Sequence, residues 1–263
     1  MLKQRIISAV VALILLMAVL FVLPQPAARI VIAVLIAATG WEWSGFLAFS
    51  GLPGRLGYTA AIALLQILAW RFVPELISYE LVLYVAVGWW LCALIWMFFY
   101  PTPIPRSVAS ACGALVLIPA YLALDWVYVR SPELLLFLLV IVWAADIGAY
   151  FAGKAFGRVK LAPRISPGKT WEGVVGGLIA VTALAVSIGN YGEVDVAVLV
   201  PFCLAIGLIS VVGDLTVSMF KRHAGIKDSG KLFPGHGGLL DRIDSVTAAS
   251  TVFAAGVAAS GLG

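Results

Sequence analysis

The densest run of chemically active side chains lies between Ser218 and Asp244. It reads Ser-Met-Phe-Lys-Arg, four residues, Lys-Asp-Ser-Gly, three residues, and Pro-Gly-His-Gly-Gly-Leu-Leu-Asp-Arg-Ile-Asp. Only 11% of the chain is charged, so such a run among glycines must face water or a charged ligand. Just upstream, Asp214, Ser218 and Lys221 are spaced i, i+4, i+7 and share one face of a helix. Asp241 and Asp244, at i and i+3, share a face of the next. The loop between is too short to separate those helix ends widely, so Asp214, Asp241 and Asp244 are expected to converge at one depth. Oxygen ligands without histidine or cysteine suit hard cations, and Mg²⁺ in particular is commonly held by one or two carboxylates plus phosphate oxygens. Gly235, Gly237 and Gly238 would let backbone N–H groups approach a phosphate, while Lys221, Arg222, Lys227 and Arg242 would neutralise its charge. The plainer alternative is a glycine-rich turn with basic membrane anchors, and the coincident acidic pairs argue against it. His236 could exchange a proton, donate to a phosphate or simply fix the loop.

A second polar loop carries Arg164-Ile165-Ser166-Pro167-Gly168-Lys169-Thr170-Trp171-Glu172-Gly173. Its Gly-Lys-Thr is not a P-loop, because Pro163 stands where the motif needs glycine and no preceding strand is expected. Ser166, Lys169 and Thr170 are instead placed at the N-terminus of the seventh helix, where free N–H groups favour an anion, although a plain helix start would look the same. Gly173 and Gly177 are spaced for close helix packing. Asp146 follows Trp143 on the sixth helix, where it could complete a cation site or merely bond a neighbouring helix. Glu42, between Trp41 and Trp43, is read as the one ionisable group at membrane depth in residues 1 to about 130 and is left outside the catalytic set.

These groups must be carried by membrane helices. With 63% hydrophobic residues and a mean hydropathy of +1.08, the chain requires many spanning segments. At about 20 residues each, nine can be drawn, at roughly 6–23, 30–50, 58–73, 80–99, 107–127, 133–153, 172–189, 196–220 and 240–261. The fold class is therefore all-α, a polytopic helical bundle forming one domain over residues 1–263, with its chemistry in about residues 131–263. The first helix lacks a clean cleavage site and is read as uncleaved. With a cytoplasmic N-terminus, 14 of the 17 basic residues fall inside and only Arg29, Arg71 and Arg130 outside, as the positive-inside rule favours. Both polar loops then lie on the cytoplasmic face. Cys92, Cys112 and Cys203 are scattered within helices and are read as packing residues. Two histidines with no nearby cysteine exclude a zinc site of ordinary spacing. The net charge of +4 belongs to loops facing anionic lipid headgroups and is no nucleic-acid signal.

The run from Ser218 to Asp244 resembles the signature of the phosphatidate cytidylyltransferases, or CDP-diglyceride synthases. The resemblance extends to Gly213-Asp214-Leu215, to Ser166 through Gly173 and to Trp143 with Asp146, which covers most of the second half. Val217 departs from it, since relatives commonly carry an acidic residue just before the serine. The resemblance implies that CTP and phosphatidic acid react to give CDP-diacylglycerol and pyrophosphate, in a bacterial inner membrane, with the site on the cytoplasmic side. It further implies Mg²⁺ on Asp214, Asp241 and Asp244 with Asp146 beside them, a second cation such as K⁺, and a homodimer. Lys221 and Arg222 would hold phosphate oxygens, and Lys169 with Ser166 would grip the lipid phosphate or the leaving pyrophosphate. A secondary transporter is the main rival class, yet it would place its charges near the midplane and often show inverted repeats, which this chain lacks. A lipid kinase is the second rival, distinguished by releasing a nucleoside diphosphate.

Overall fold

The computed structural model describes residues 2–49, 51–76, 78–191, 194–230 and 237–260, with side chains described from Val10 onward except at 74–76. Among these described residues nine α-helices follow in order: α1 (Leu2–Phe21), α2 (Gln25–Ser44), α3 (Leu52–Leu76), α4 (Tyr79–Phe98), α5 (Arg106–Arg130), α6 (Pro132–Phe156), α7 (Trp171–Tyr191), α8 (Val196–His223) and α9 (Leu240–Ser260). Eight of them are long and apolar enough to cross a membrane, and the described part of α1, Val10–Phe21, is a shorter apolar helix. The chain is a polytopic helical membrane protein, as its composition requires.

Helix starts follow local chemistry. Pro24 precedes α2 and Pro26 lies in its first turn, where a missing N–H costs nothing, so α2 begins earlier than hydropathy alone suggests. Ser78, Ser131 and Asp195 cap α4, α6 and α8 by accepting from first-turn amides. One departure from an all-helical chain is a small antiparallel hairpin between α6 and α7, with β1 (Lys160–Ala162) pairing β2 (Ser166–Thr170). Ser166 and Lys169 therefore lie on a strand. Thr170 is the residue before α7, and its hydroxyl accepts from Gly173 N–H at 3.1 Å, filling one of the free donors expected to attract an anion.

Helix α9 is the axis of the bundle and packs on α4, α5, α6 and α8. From Asp244 to Thr251 every residue is buried, although the helix is built from alanine, serine and threonine. Its hydroxyls cost little there because Thr247 and Thr251 donate to carbonyls three residues back at 2.6 and 2.8 Å. Small residues also let α6 and α7 cross closely. A Cβ added to Gly148 would meet the Gly176 carbonyl, and one on Gly173 or Gly177 the carbonyls of Ala149 or Ala145. The close-packing role expected for Gly173 and Gly177 is what the structure shows.

Polar cross-links gather one end of the bundle. Trp43 Nε1 donates to Ala109 O at 3.0 Å, Arg106 to Ala48 O at 2.9 Å and Arg164 to Tyr100 O at 3.4 Å. Beneath them Phe220 sits between Trp43 and Trp96, with ring centroids 5.0 and 5.9 Å away. The opposite end is pinned by Arg29 on α2, which grips Asp125 on α5 through two bonds of 2.7 Å. Asp125 is 1% exposed, so Glu42 is not the only carboxylate held within the first half.

Candidate active site

Two acid–lysine pairs stand at the gathered end. On α8, Asp214 Oδ2 meets Lys169 Nζ of β2 at 2.5 Å, while its Oδ1 accepts from Ser218 one turn later at 3.1 Å. Lys221, two turns after Asp214, is buried at 7% exposure and donates to Asp241 Oδ1 at 2.8 Å, with Asp244 Oδ2 at 3.9 Å. Asp244 lies within electrostatic range of Asp214, Lys221 and Lys169, and Asp146 within range of Lys169 and Asp214. The approach of α8 to α9 depends on Gly213, since a Cβ there would run into the Asp244 carbonyl and the Ala248 methyl.

The acids are not gathered into one ligand set. Among the described residues no three carboxylate, histidine or cysteine side chains lie close enough to hold a metal as they stand. The physical reason is the lysines: Lys169 and Lys221 stand between the carboxylates and neutralise them. Asp241 is the most committed acid, because its Oδ2 also accepts from Ser229 N–H and Gly238 N–H, both at 2.9 Å.

Other expected phosphate ligands have different local partners. Arg222 donates through Nε to Ile165 O at 3.0 Å and through Nη1 to Ile226 O at 3.2 Å, so its guanidinium ties the hairpin tip to the end of α8. Ser166 is half-buried on β2, and Lys227 and Arg242 are exposed. Gly237 adopts φ +78°, a left-handed conformation open to glycine, and a Cβ there would also meet the Asp241 carboxylate. His236 and Gly235 lie outside the described residues. Val217 is fully buried in the apolar core, so at this position the chain packs a hydrophobe where an acid would need a partner. Cys92 is exposed on α4 rather than packed, unlike Cys112 and Cys203.

A cavity of about 350 Å³ opens beside the Lys169–Asp214 pair between α6, α7, α8 and β2. Asp146, Tyr150, Lys154 and Lys169 line it together with apolar groups that include Val174 and Leu178. It offers charged and apolar side chains to the same molecule.

A family model described as the cytidylyltransferase family matches residues 3–259. The chain belongs to that family. It is 43% identical to the phosphatidate cytidylyltransferase of Pseudomonas aeruginosa over 274 residues, covering 100% of this chain and 99% of that protein. It is 36% identical to the phosphatidate cytidylyltransferase of Haemophilus influenzae over 283 residues, covering 96% and 97%. A third phosphatidate cytidylyltransferase, from Brucella suis, matches 45% of this chain at 45% identity. The residue that the sequence reading left outside the catalytic set, and that the structure brings to the site, is Glu42. Glu42 is 5% exposed, and its carboxylate accepts from Ser229 Oγ at 2.7 Å, Leu239 N–H at 2.8 Å and Leu240 N–H at 2.7 Å. The available signal was the cost of an acid in an apolar helix, which demands partners somewhere in the fold.

Proposed function

We propose that this protein transfers CMP from CTP to phosphatidic acid, forming CDP-diacylglycerol and pyrophosphate. The observation that carries the reading is a cavity lined by both charged and apolar side chains beside a lysine–aspartate pair, in a chain of the cytidylyltransferase family. An amphiphilic substrate would place its phosphate at Lys169 and its chains along Val174 and Leu178. A phosphate-monoester oxygen of the lipid attacks the α-phosphorus of CTP, and the bond from that phosphorus to the β-phosphate oxygen breaks in line. The electron pair leaves on pyrophosphate. Phosphatidate is already ionised near neutral pH, so no strong general base is required.

Both reactants are anions, so the protein's work is positioning and neutralisation. Lys169 and Lys221 carry positive charge at the site, and each is held in place by an aspartate. A triphosphate that draws them away would leave the oxygens of Asp214 and Asp244, with Asp146 alongside, facing the same space. That all-oxygen donor set fits Mg²⁺, and Asp214, Asp244 and Asp146 would hold it. When bound, Mg²⁺ would neutralise the triphosphate and the charge that builds on the leaving pyrophosphate. Asp241 serves as anchor for Lys221 and the loop. A second cation such as K⁺ would find no acidic ligand at Val217. Thr170 caps α7, and Arg222 supports the hairpin that carries Lys169. The distribution of basic residues supports a site on the cytoplasmic side of a bacterial inner membrane, and the family resemblance supports a homodimer.

The deciding assay is pyrophosphate release by purified protein in detergent with CTP, phosphatidic acid and Mg²⁺, with arms lacking the lipid or replacing CTP by ATP. Release that needs both substrates, with CDP-diacylglycerol as the lipid product, is the expected result. Release of a nucleoside diphosphate instead would mark a lipid kinase, and silence from folded protein would overturn the reading.

A further inference from the structure

Glu42 reaches the site from α2, almost 200 residues away in sequence from what it holds. Its two oxygens receive the amides of Leu239 and Leu240, which are otherwise unpaired donors where α9 begins, so a carboxylate from another helix caps α9. The Ser229 hydroxyl supplies a third bond. The loop's composition follows the carboxylate closely, because a Cβ at Gly230 or Gly238 would run into the Glu42 oxygens. Thus Ser229, Gly230 and Gly238, three of the residues that give this loop its pattern, have the types that contact with Glu42 demands.

Asp241 grips the same two stretches of loop from the other side. Its Oδ2 takes the amides of Ser229 and Gly238, and its Oδ1 takes Lys221. Ser229 and the Gly238–Leu240 stretch are therefore clamped between two carboxylates, one on α2 and one on α9, and the second also aims Lys221. We infer that Glu42 is a positioning residue for the transfer reaction, fixing through the Ser229–Gly230 and Gly238–Leu240 backbone the placement of Asp241 and Lys221. This deepens the site assigned above and makes the first half of the chain a working part of it.

The test compares wild type, Glu42→Gln and Ser229→Ala as purified full-length protein in detergent, by hydrogen–deuterium exchange and by steady-state kinetics. Glutamine keeps the shape but presents an N–H₂ group to donors, so exchange in a peptide spanning 237–240 should quicken about tenfold or more. Exchange in α6 and α7 should not change. Turnover should fall about tenfold or more, and the Mg²⁺ concentration for half-maximal rate should rise, because Lys221 stands beside Asp244, a proposed Mg²⁺ ligand, and misplacing it disturbs that carboxylate. Ser229→Ala removes one of three bonds and should show the same pattern at about threefold, which keeps the test alive if Glu42→Gln fails to fold. Unchanged local exchange would overturn the inference. So would loosening spread evenly over the bundle, or lower turnover with no shift in Mg²⁺ dependence, since either outcome marks simple structural support. A wild type silent with CTP and phosphatidic acid would instead overturn the reaction, and the exchange comparison would still decide the anchor.

Discussion

Lys169 on β2 and Asp214 on α8 meet at 2.5 Å, joining the hairpin to the bundle beside the cavity that Lys169 lines. Their side chains are 27% and 24% exposed, so the pair contributes little to stability and its chemistry can be tested without unfolding the protein. Lys169→Met and Asp214→Asn should each lower kcat/KM by about 100-fold or more, as loss of a placed charge at a phosphoryl centre does. Both proteins should keep their circular dichroism and detergent unfolding temperature. The double variant should be scarcely worse than either single one, because the two residues act as a unit. Near-normal activity in Asp214→Asn would remove it from the cation site.

Arg222 yields a different prediction from the one its basic charge invites. Its fork bonds Ile165 O and Ile226 O together, a geometry that a lysine ammonium cannot reproduce. Arg222→Lys keeps the charge, so a phosphate ligand would be largely preserved while a hairpin tether would be lost. The tether predicts faster tryptic cleavage after Arg164 and a drop in turnover of about tenfold. Cleavage at the wild-type rate with normal turnover would show that the hairpin does not depend on this residue.

The limits of the sequence are visible in these residues. Helix number and the placing of Asp214, Ser218 and Lys221 along one face of α8 were legible because hydropathy and helical period are local properties. The convergence of α8 and α9 was legible from a short loop between charged helix ends. Glu42 and Asp125 were not placed, since their partners lie 187 or more and 96 residues away, and a single carboxylate carries no sign of which helix will receive it. The hairpin was missed for another reason. Ser-Pro-Gly-Lys-Thr has little strand propensity and forms β2 only because β1 precedes it, Thr170 caps α7 and Arg222 holds its tip. Arginine's role as a backbone clamp likewise depends on carbonyls that only the fold brings near.

The opposite end of the bundle offers a stability test that leaves the site alone. Arg29→Met would strand the Asp125 carboxylate at 1% exposure and should cost about 3 kcal/mol, the low end for a broken buried pair because Arg29 is itself 29% exposed. Adding Asp125→Leu should restore most of the loss, since an apolar pair can replace a buried ion pair. Unfolding temperature in detergent reads both effects, and turnover per folded molecule should stay near wild type in the double variant. Low turnover in a fully stable double variant would mean that the far end communicates with the site.

Metal removal separates the two roles of the lysines. Asp214 and Asp241 already have ammonium partners, so the bundle should not need a cation to fold. EDTA is therefore expected to abolish turnover while leaving the unfolding temperature nearly unchanged, with full recovery on adding Mg²⁺. Lys221→Met reverses that balance: it leaves Asp241 and Asp244 buried without a neutralising charge, which is costly in a low-dielectric site. In this variant Mg²⁺ becomes the available countercharge and should raise the unfolding temperature far more than in wild type. A cation present at 100 times its Kd would return about 2.7 kcal/mol to the folded state. Equal Mg²⁺ stabilisation of wild type and Lys221→Met would show that Lys221 and the cation do not answer to the same carboxylates, and would separate Asp244 from the metal site.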